Sequence, residues 1–339
     1  MRFTRREFLF SLPLLANLLL AAKKKKYFIN SVNGSIDADV LGTTLIHEHF
    51  LVDFIGASKT SFDRWNRDAV VKKVLPFLLE AKQAGVKSVF DCTPKFLGRD
   101  VVLLQMLALQ SGLNIITNTG YYGAVGNKYL PEWAFTDSAE QLATRWINEF
   151  KHGIDDTSIK PGFIKIGVDA AEGGLSEIHK KLVRAAAITH LKTGLTICSH
   201  TGLSTAAFEE INIIQSMGVH ASAFVWVHAQ AEQDKIMQTK VAQLGSWVSL
   251  DGIGWGDFDK YADSIYQLKS NGLLDRVLIS HDAGWYKPDE PGGGEFKGYT
   301  NIFTQLIPRL LKKGLTEKDF NQLLVKNPAE AMGMRVRKS

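Results

Sequence analysis

Short apolar runs rich in β-branched residues alternate along the chain with longer stretches whose apolar positions follow the period of a helix. The short runs predict strands, and the longer stretches, many of which end at a glycine, predict amphipathic helices. We predict eight strands, near residues 43–46, 88–91, 114–119, 163–168, 195–199, 222–227, 246–250 and 276–280. The predicted helices include residues 68–84, 139–151, 176–192, 234–244 and 257–270. Eight strand–helix units in this order indicate an α/β fold, a (β/α)8 TIM barrel.

The composition agrees with one large globular domain. The chain has 339 residues, of which 45% are hydrophobic and 22% are charged, so it can bury a sizeable core and is not a disordered chain. The longest irregular stretch, residues 284–299, is rich in glycine and proline and follows the eighth predicted strand. We expect it to form a lid over the mouth of the barrel.

The excess of positive charge lies at the N-terminus. The formal net charge is +5, but within residues 1–26 seven basic residues face only Glu7, so the rest of the chain is close to neutral. A surface for nucleic acid is therefore not predicted. Arg5 and Arg6, followed by an apolar run over residues 12–22, have the form of a twin-arginine (Tat) export signal. A basic amphipathic arm is the alternative, which the continuous apolar run disfavours.

Two regions follow from this charge distribution: a twin-arginine signal at residues 1–26 and a barrel domain at residues 27–339. We expect the Tat machinery to export the protein to the periplasm. Because Ala21 and Ala22 run directly into four lysines, the signal has a poor cleavage site. Retention of the signal as a membrane tether therefore stays open.

Histidine, aspartate and lysine side chains recur at the ends of the predicted strands. His47 and His49 alternate along the first strand, which directs both imidazoles to the same side. The active site of a TIM barrel lies at the C-terminal ends of its strands. Four histidines and one aspartate at these ends, with a lysine inside the fourth strand, predict a metal site. The candidate ligands are His47, His49, Lys165, His200, His228 and Asp282.

This donor set suits zinc, with manganese, iron or cobalt as alternatives. One tetrahedral zinc cannot use every donor, whereas two metals roughly 3.5 to 4 Å apart can, with a bridging hydroxide as nucleophile. Because the Lys165 ammonium would be repelled by both metals, we expect CO2 to convert it to a carbamate whose oxygens bridge them. A lysine that reaches solvent, or pairs with an interior acid such as Asp169, is the alternative.

These motifs resemble the phosphotriesterase family of the amidohydrolase superfamily, which includes phosphotriesterase-like lactonases. The likeness covers about residues 35–334. It rests on three runs, Gly42-Thr43-Thr44-Leu45-Ile46-His47-Glu48-His49, Gly98-Arg99-Asp100 and Gly162-Phe163-Ile164-Lys165-Ile166. The resemblance implies how the ligands are divided. His47, His49 and Asp282 would hold the more buried metal, His200 and His228 the exposed one, and Lys165 would bridge.

The resemblance also bears on the substrate. Tyr122 matches the tyrosine that reaches the metal bridge in lactonase-like members of the family. Gly252, in contrast, stands where similar lactonases have an arginine and the triesterases a histidine, and we expect it to leave extra room above the metals. Trp255, Trp285 and Tyr286 are expected either to wall an apolar substrate cavity or to lie at its rim.

We therefore predict a metal-dependent hydrolase of ester-like bonds, with Asp282 and Tyr122 as catalytic residues. Asp282 is expected to accept the proton of the attacking hydroxide, and the substrate is a small lactone, carboxyl ester or phosphotriester. Amide hydrolysis within the same family and a non-catalytic metal-binding barrel are the alternatives. A serine triad is not supported because no serine lies in a Gly-x-Ser-x-Gly turn. Whether the protein forms a homodimer stays open.

Overall fold

The computed structural model describes residues 26–339, so Arg5 and Arg6 and the apolar run of the predicted export signal lie outside the described residues. The described part begins with an antiparallel hairpin of β1 (Phe28–Ser31) and β2 (Gly34–Asp37). Ile29 of this hairpin is fully buried and packs in one cluster with Phe163 and other residues of the barrel interior. The hairpin thus covers the N-terminal end of the barrel.

Eight parallel barrel strands follow within residues 26–339, and each is hydrogen-bonded to the next. Their bounds are β3 Thr44–Leu51, β4 Ser88–Asp91, β5 Asn114–Ile116 with its continuation β6 Asn118–Thr119, β7 Phe163–Gly167, β8 Ile197–His200, β9 Phe224–Val227, β10 Trp247–Leu250 and β11 Val277–Ile279. The barrel closes where the Asp282 N–H donates to the His47 carbonyl at 3.0 Å. The predicted (β/α)8 barrel is confirmed.

Helices surround this barrel, and the five helices predicted from the sequence agree with the structure to within one or two residues. Their bounds are α1 Arg67–Gln83, α2 Val101–Ser111, α3 Trp133–Thr136, α4 Ala139–His152, α5 Glu177–Thr193, α6 Ser204–Ser216, α7 Lys235–Gln243, α8 Phe258–Ser270, α9 Ile307–Lys312, α10 Glu317–Asn321 and α11 Asn327–Met332. Ser138 and Gln141 form a capping box that starts α4. Gly112 and Gly194, in the left-handed conformation, end α2 and α5. In residues 26–339, none of the helices has both the length and the apolar character to cross a bilayer.

The Gly-Arg-Asp segment has a structural role. Gly98 has φ +111°, and a Cβ there would lie 2.5 Å from Leu51 Cδ2, so only glycine fits without displacement. Arg99 is buried and donates to the Asn118 carbonyl at 2.7 Å and to Glu149. Asp100 caps α2 by accepting from the Leu103 N–H. The segment therefore fixes the turn after β4, next to the strands that carry the predicted ligands.

Candidate metal centre

A cavity of about 90 Å3 opens at the C-terminal ends of the strands, as the TIM-barrel prediction requires. Each of the six predicted ligands lines it. The predicted ligands on its wall are His47, His49, Lys165, His200, His228 and Asp282. The remaining lining is largely apolar or aromatic and consists of Val52, Phe54, Cys92, Leu97, Tyr122 and Trp285. The structure therefore brings together donors that are up to 235 residues apart in the chain.

Three of these donors form a first group. The ligand atoms of His47, His49 and Asp282 all lie within 4.8 Å of one another. Asp282 Oδ1 is 3.1 Å from His49 Nε2 and 3.6 Å from His47 Nε2. The other ring nitrogen of His49, Nδ1, is hydrogen-bonded to Thr93 Oγ1 at 2.8 Å, which leaves Nε2 facing the cavity. The group matches the set that the resemblance assigned to the more buried metal.

A second group consists of His47, His228 and Asp251, and it shares His47 with the first group. The imidazole centroid of His228 lies 4.5 Å from that of His200 and 5.0 Å from that of His47. Between His228 and His47 lies the buried carboxylate of Asp251, 2.7 Å from His228 Nδ1 and 3.3 Å from His47 Nδ1. A carboxylate on the Nδ1 side fixes the tautomer and aims Nε2 at a metal. We therefore interpret Asp251 as an orienting residue rather than a seventh ligand.

Sequence reasoning missed Asp251. It directly follows β10, the same position relative to its strand that His228 holds after β9. In the sequence, this position directly after a strand is the signal that points to Asp251.

Lys165 lies in the middle of β7 with only 2% of its surface exposed. Its Nζ is buried and has no hydrogen-bond partner within the described part of the chain. Asp169, the alternative partner, instead accepts from the backbone N–H groups of Val125 and Gly126 at 2.8 and 2.9 Å. An unpaired ammonium in this position is costly, so the geometry leaves Lys165 in need of an additional group.

The charges of the cavity favour a cation. Burial, and then the charge of Lys165, lowers the pKa of His47 to about 3, and burial with the nearby His228 holds the pKa of His200 well below its ordinary value. Burial would raise the pKa of Asp251, but His228 and His47 outweigh it and hold that pKa well below its usual range. The pKa of Asp282 is lowered too, despite burial, mainly by its bond to His49. Burial would lower the pKa of His228, but Asp251 outweighs it and raises that pKa. His47 and His200 are thus neutral imidazoles, the form that binds a metal, whereas His228 would release a proton on binding one.

Comparison with known proteins agrees with this arrangement. The sequence profile described as Phosphotriesterase family matches residues 27–332. The chain belongs to the phosphotriesterase family. It is 30% identical over 295 residues to a phosphotriesterase homology protein of Escherichia coli, covering 86% of this chain and 98% of the relative.

Other members of the phosphotriesterase family that resemble this chain have different names. An aryldialkylphosphatase of Saccharolobus solfataricus is 30% identical over 306 residues, covering 87% of this chain and 96% of the relative. The N-acetyltaurine hydrolase of Homo sapiens is 28% identical over 344 residues, with 89% and 97% covered. These names describe hydrolysis of different bonds. Membership in the family therefore identifies a metal-dependent hydrolase but does not identify the bond that it cleaves. The geometry of the site bears on that question.

Tyr122 lies at the wall of the cavity, beside one of the predicted ligands. Its hydroxyl lies 3.0 Å from His200 Nδ1, at the cavity wall. Burial, and then the charge of Asp282, raises the pKa of Tyr122, so the phenol stays protonated and can donate a hydrogen bond.

The three aromatic residues predicted after strands seven and eight have different places in this family member. Trp285 lines the cavity, with its ring 5.9 Å from that of His49 and 5.4 Å from that of Phe54. Trp255 is half exposed and donates through Nε1 to the Asp282 carbonyl at 2.8 Å, so it belongs to the rim. Tyr286 packs next to Gly293, where an added Cβ would lie 2.2 Å from its ring. The wall of the cavity thus receives only Trp285 of the three.

Gly252 does not leave extra room, which corrects the prediction from the sequence. A Cβ at Gly252 would lie 2.5 Å from the Tyr261 hydroxyl and 2.7 Å from Gln230 Nε2. Gln230 is held there by two hydrogen bonds with Asp251, one in each direction. The space beside Gly252 is therefore filled by side chains from α8 and from the turn after β9.

Proposed function

We propose that this protein hydrolyses carboxyl esters or lactones with a binuclear metal centre. The observation that carries the proposal is the hydroxyl of Tyr122, 3.0 Å from His200 Nδ1 on the wall of a cavity whose other residues are largely apolar. A neutral hydrogen-bond donor beside the ligand histidines suits a carbonyl or ring oxygen. The apolar wall suits an uncharged acyl chain.

The residues present fit two metals. His47, His49 and Asp282 would hold one, and His200 and His228 the other. Lys165 Nζ has no hydrogen-bond partner among the described residues, which supports a carbamate on that residue. The negative charge of a carbamate would be stabilised by the two metals, whereas an ammonium would be repelled by them. When bound, two divalent ions, with Zn2+ first and Mn2+, Fe2+ or Co2+ as substitutes, would lower the pKa of a water molecule and polarise the scissile carbonyl.

The chain itself positions the substrate and takes the proton. Val52, Phe54 and Leu97 contact the acyl side of a small substrate, while Tyr122 donates to its oxygen. Asp282 is unprotonated near neutral pH because its pKa is lowered, so it can accept the proton that the attacking water loses. His49 Nε2 lies 3.1 Å from Asp282 Oδ1, a separation at which both atoms could contact one metal.

Triester hydrolysis is less well supported. A phosphotriester carries three substituents around phosphorus, and each needs space beside the metals. At Gly252 that space is occupied by Tyr261 and Gln230. A planar ester or lactone has fewer substituents and needs less space at this position.

Amide hydrolysis is the second candidate. It needs the same polarised carbonyl, and the similarity to an N-acetyltaurine hydrolase favours it. An amide differs in its leaving amine, which must be protonated as it departs. Among the lining residues, Tyr122 and the protonated form of Asp282 are the available donors.

Activity on a panel tests the proposal. Zinc- and manganese-loaded protein is assayed on a lactone series, an aryl carboxyl ester, N-acetyltaurine and an aryl dialkyl phosphate, with chelated protein as the control. We expect kcat/KM for the best lactone or ester to exceed that for the triester by about tenfold or more. A triester preference contradicts this order, and a higher kcat/KM on N-acetyltaurine establishes the amide alternative. Full metal loading without turnover of any substrate indicates a non-catalytic barrel.

A further inference from the structure

Glu48 lies between two predicted ligands in β3, yet it is not aimed at the cavity. Its carboxylate is fully buried and accepts four hydrogen bonds. Oε1 accepts from Ser280 Oγ at 2.7 Å, from the His281 N–H at 3.0 Å and from His281 Nδ1 at 2.7 Å. Oε2 accepts from the Ala283 N–H at 3.0 Å. The four donors come from one short segment, the residues that surround Asp282.

Asp282 needs such support because of its backbone. It has φ +52°, in the left-handed region that residues with a Cβ rarely adopt. A residue keeps this conformation only when its surroundings hold it there. Glu48 binds the backbone N–H on either side of it, and the Asp282 N–H itself donates to the His47 carbonyl at 3.0 Å.

The tautomer of His281 follows from its two partners. Its Nε2 accepts from the Ile302 N–H at 3.1 Å, so Nε2 carries no proton. Nδ1 therefore carries the proton and donates to Glu48. All four partners of Glu48 are then donors, and only a carboxylate, whose two oxygens both accept, can satisfy them.

We propose that Glu48 is a positioning residue that sets the place of Asp282 in the metal centre. This inference rests on the ligand set given under the proposed function. Glu48 touches neither substrate nor metal and acts through the backbone of residues 281–283. Glutamine has the same shape, but its NH2 group would face hydrogen-bond donors. The hydrogen bonds from that side of residue 48 to residues 280–283 would then be lost, and Asp282 would leave its left-handed conformation.

Glu210 provides a matched control. It is equally buried and also accepts two short hydrogen bonds, from Ser199 Oγ at 2.5 Å and Thr201 Oγ1 at 2.6 Å. Both partners are hydroxyl groups, which can rotate and accept as well as donate. Glutamine at position 210 can therefore keep its hydrogen bonds, whereas glutamine at position 48 faces three N–H groups that cannot reverse.

The experiment compares the full-length parent with Glu48→Gln and Glu210→Gln. Metal-free protein is titrated with Zn2+ against a chromophoric chelator, and with Co2+ while the visible spectrum is recorded. We expect Glu48→Gln to bind one of the two metals about 10- to 100-fold more weakly and to change the Co2+ spectrum, since loss of an outer-shell partner costs about this much. Glu210→Gln should match the parent. Parent-like affinity and spectrum in Glu48→Gln overturn the inference.

Ser280→Ala is the fallback if Glu48→Gln does not fold. It removes one donor to Glu48 and also the acceptor of the His47 N–H at 2.9 Å. Both losses act on the metal that His47 and Asp282 would share, and we expect that metal to bind severalfold more weakly. Unchanged binding in that variant overturns the inference as well. The titration needs no substrate, so a parent that binds two metals but hydrolyses nothing contradicts the proposed function and leaves the role of Glu48 intact.

Discussion

Lys165 is the residue in the barrel whose surroundings least suit an ordinary side chain. Its Nζ is buried without a hydrogen-bond partner among residues 26–339. We predict that Lys165→Ala loses at least one metal because the bridging anion is gone, and that added acetate or propionate partly restores binding and activity. Elemental analysis of the purified variant, with and without the acid, measures this. Two tightly bound metals in the alanine variant would contradict carboxylation.

Asp282 has a separate test at the same scale. Asp282→Asn keeps an oxygen for the metal but cannot take up a proton. We expect kcat to fall by about 10^2- to 10^4-fold, the usual contribution of a positioned proton acceptor. Metal content is measured on the same preparation, because the claim concerns turnover at full loading. A rate within a few-fold of the parent would show that the proton goes elsewhere.

Single residues also show what the sequence can and cannot predict. His47 and His49 were predictable because strand alternation fixes which way neighbouring side chains point. The position of Asp251 after its strand was visible in the sequence, but its role and that of Glu48 were not, because these roles depend on hydrogen bonds to His228 and to residues 281–283. The prediction of extra room at Gly252 was wrong for the same reason. A missing side chain predicts space only if no other element fills it, and here Tyr261 does.

At the level of elements, the eight strands and five of the helices followed from periodicity, whereas the last turns of the chain did not. π-Helical turns at Ile302–Leu306 and Gln322–Lys326 precede α9 and α11. Pro308 and Pro328 lie in the first turns of these helices. Because proline has no N–H to donate, the regular bonding is interrupted there and the pattern of apolar positions shifts.

The pairing of α6 with β8 gives a pH-dependent prediction. Burial raises the pKa of Glu210 in α6 to about 8. The folded protein therefore keeps a proton that the unfolded chain releases above pH of about 4.5, and stability should fall as the pH rises from there toward 8. Glu210→Gln should remove this part of the decline, so its Tm should exceed that of the parent most at pH 8. Parallel Tm curves for the two proteins between pH 5 and 8 would exclude the effect.

For the whole molecule, we propose export by the twin-arginine route. The proposal rests on Arg5, Arg6 and the apolar run that follows, all outside the described residues. Substitution of both arginines by lysine should keep the protein in the cytoplasm, because that pathway reads the arginine pair rather than its charge. Fractionation with blotting measures this, and a parent-like distribution of the double variant would exclude the signal.

The barrel also separates the metal centre from the loop that follows it. At residue 284 the chain passes so close to His49 that a Cβ there would lie 1.7 Å from the His49 carbonyl oxygen, and at residue 299 the Tyr299 hydroxyl donates to that same oxygen at 3.0 Å. Both ends of the loop thus lie against the backbone carbonyl of one predicted ligand. Residues 284–286 pair with β3, and Trp285 lines the cavity, so residues 287–298 are the part that can change in length and composition while His49 keeps its place. Such a segment is a natural unit of exchange between relatives, and transplanting it should carry substrate range from one barrel to another without rebuilding the metal centre.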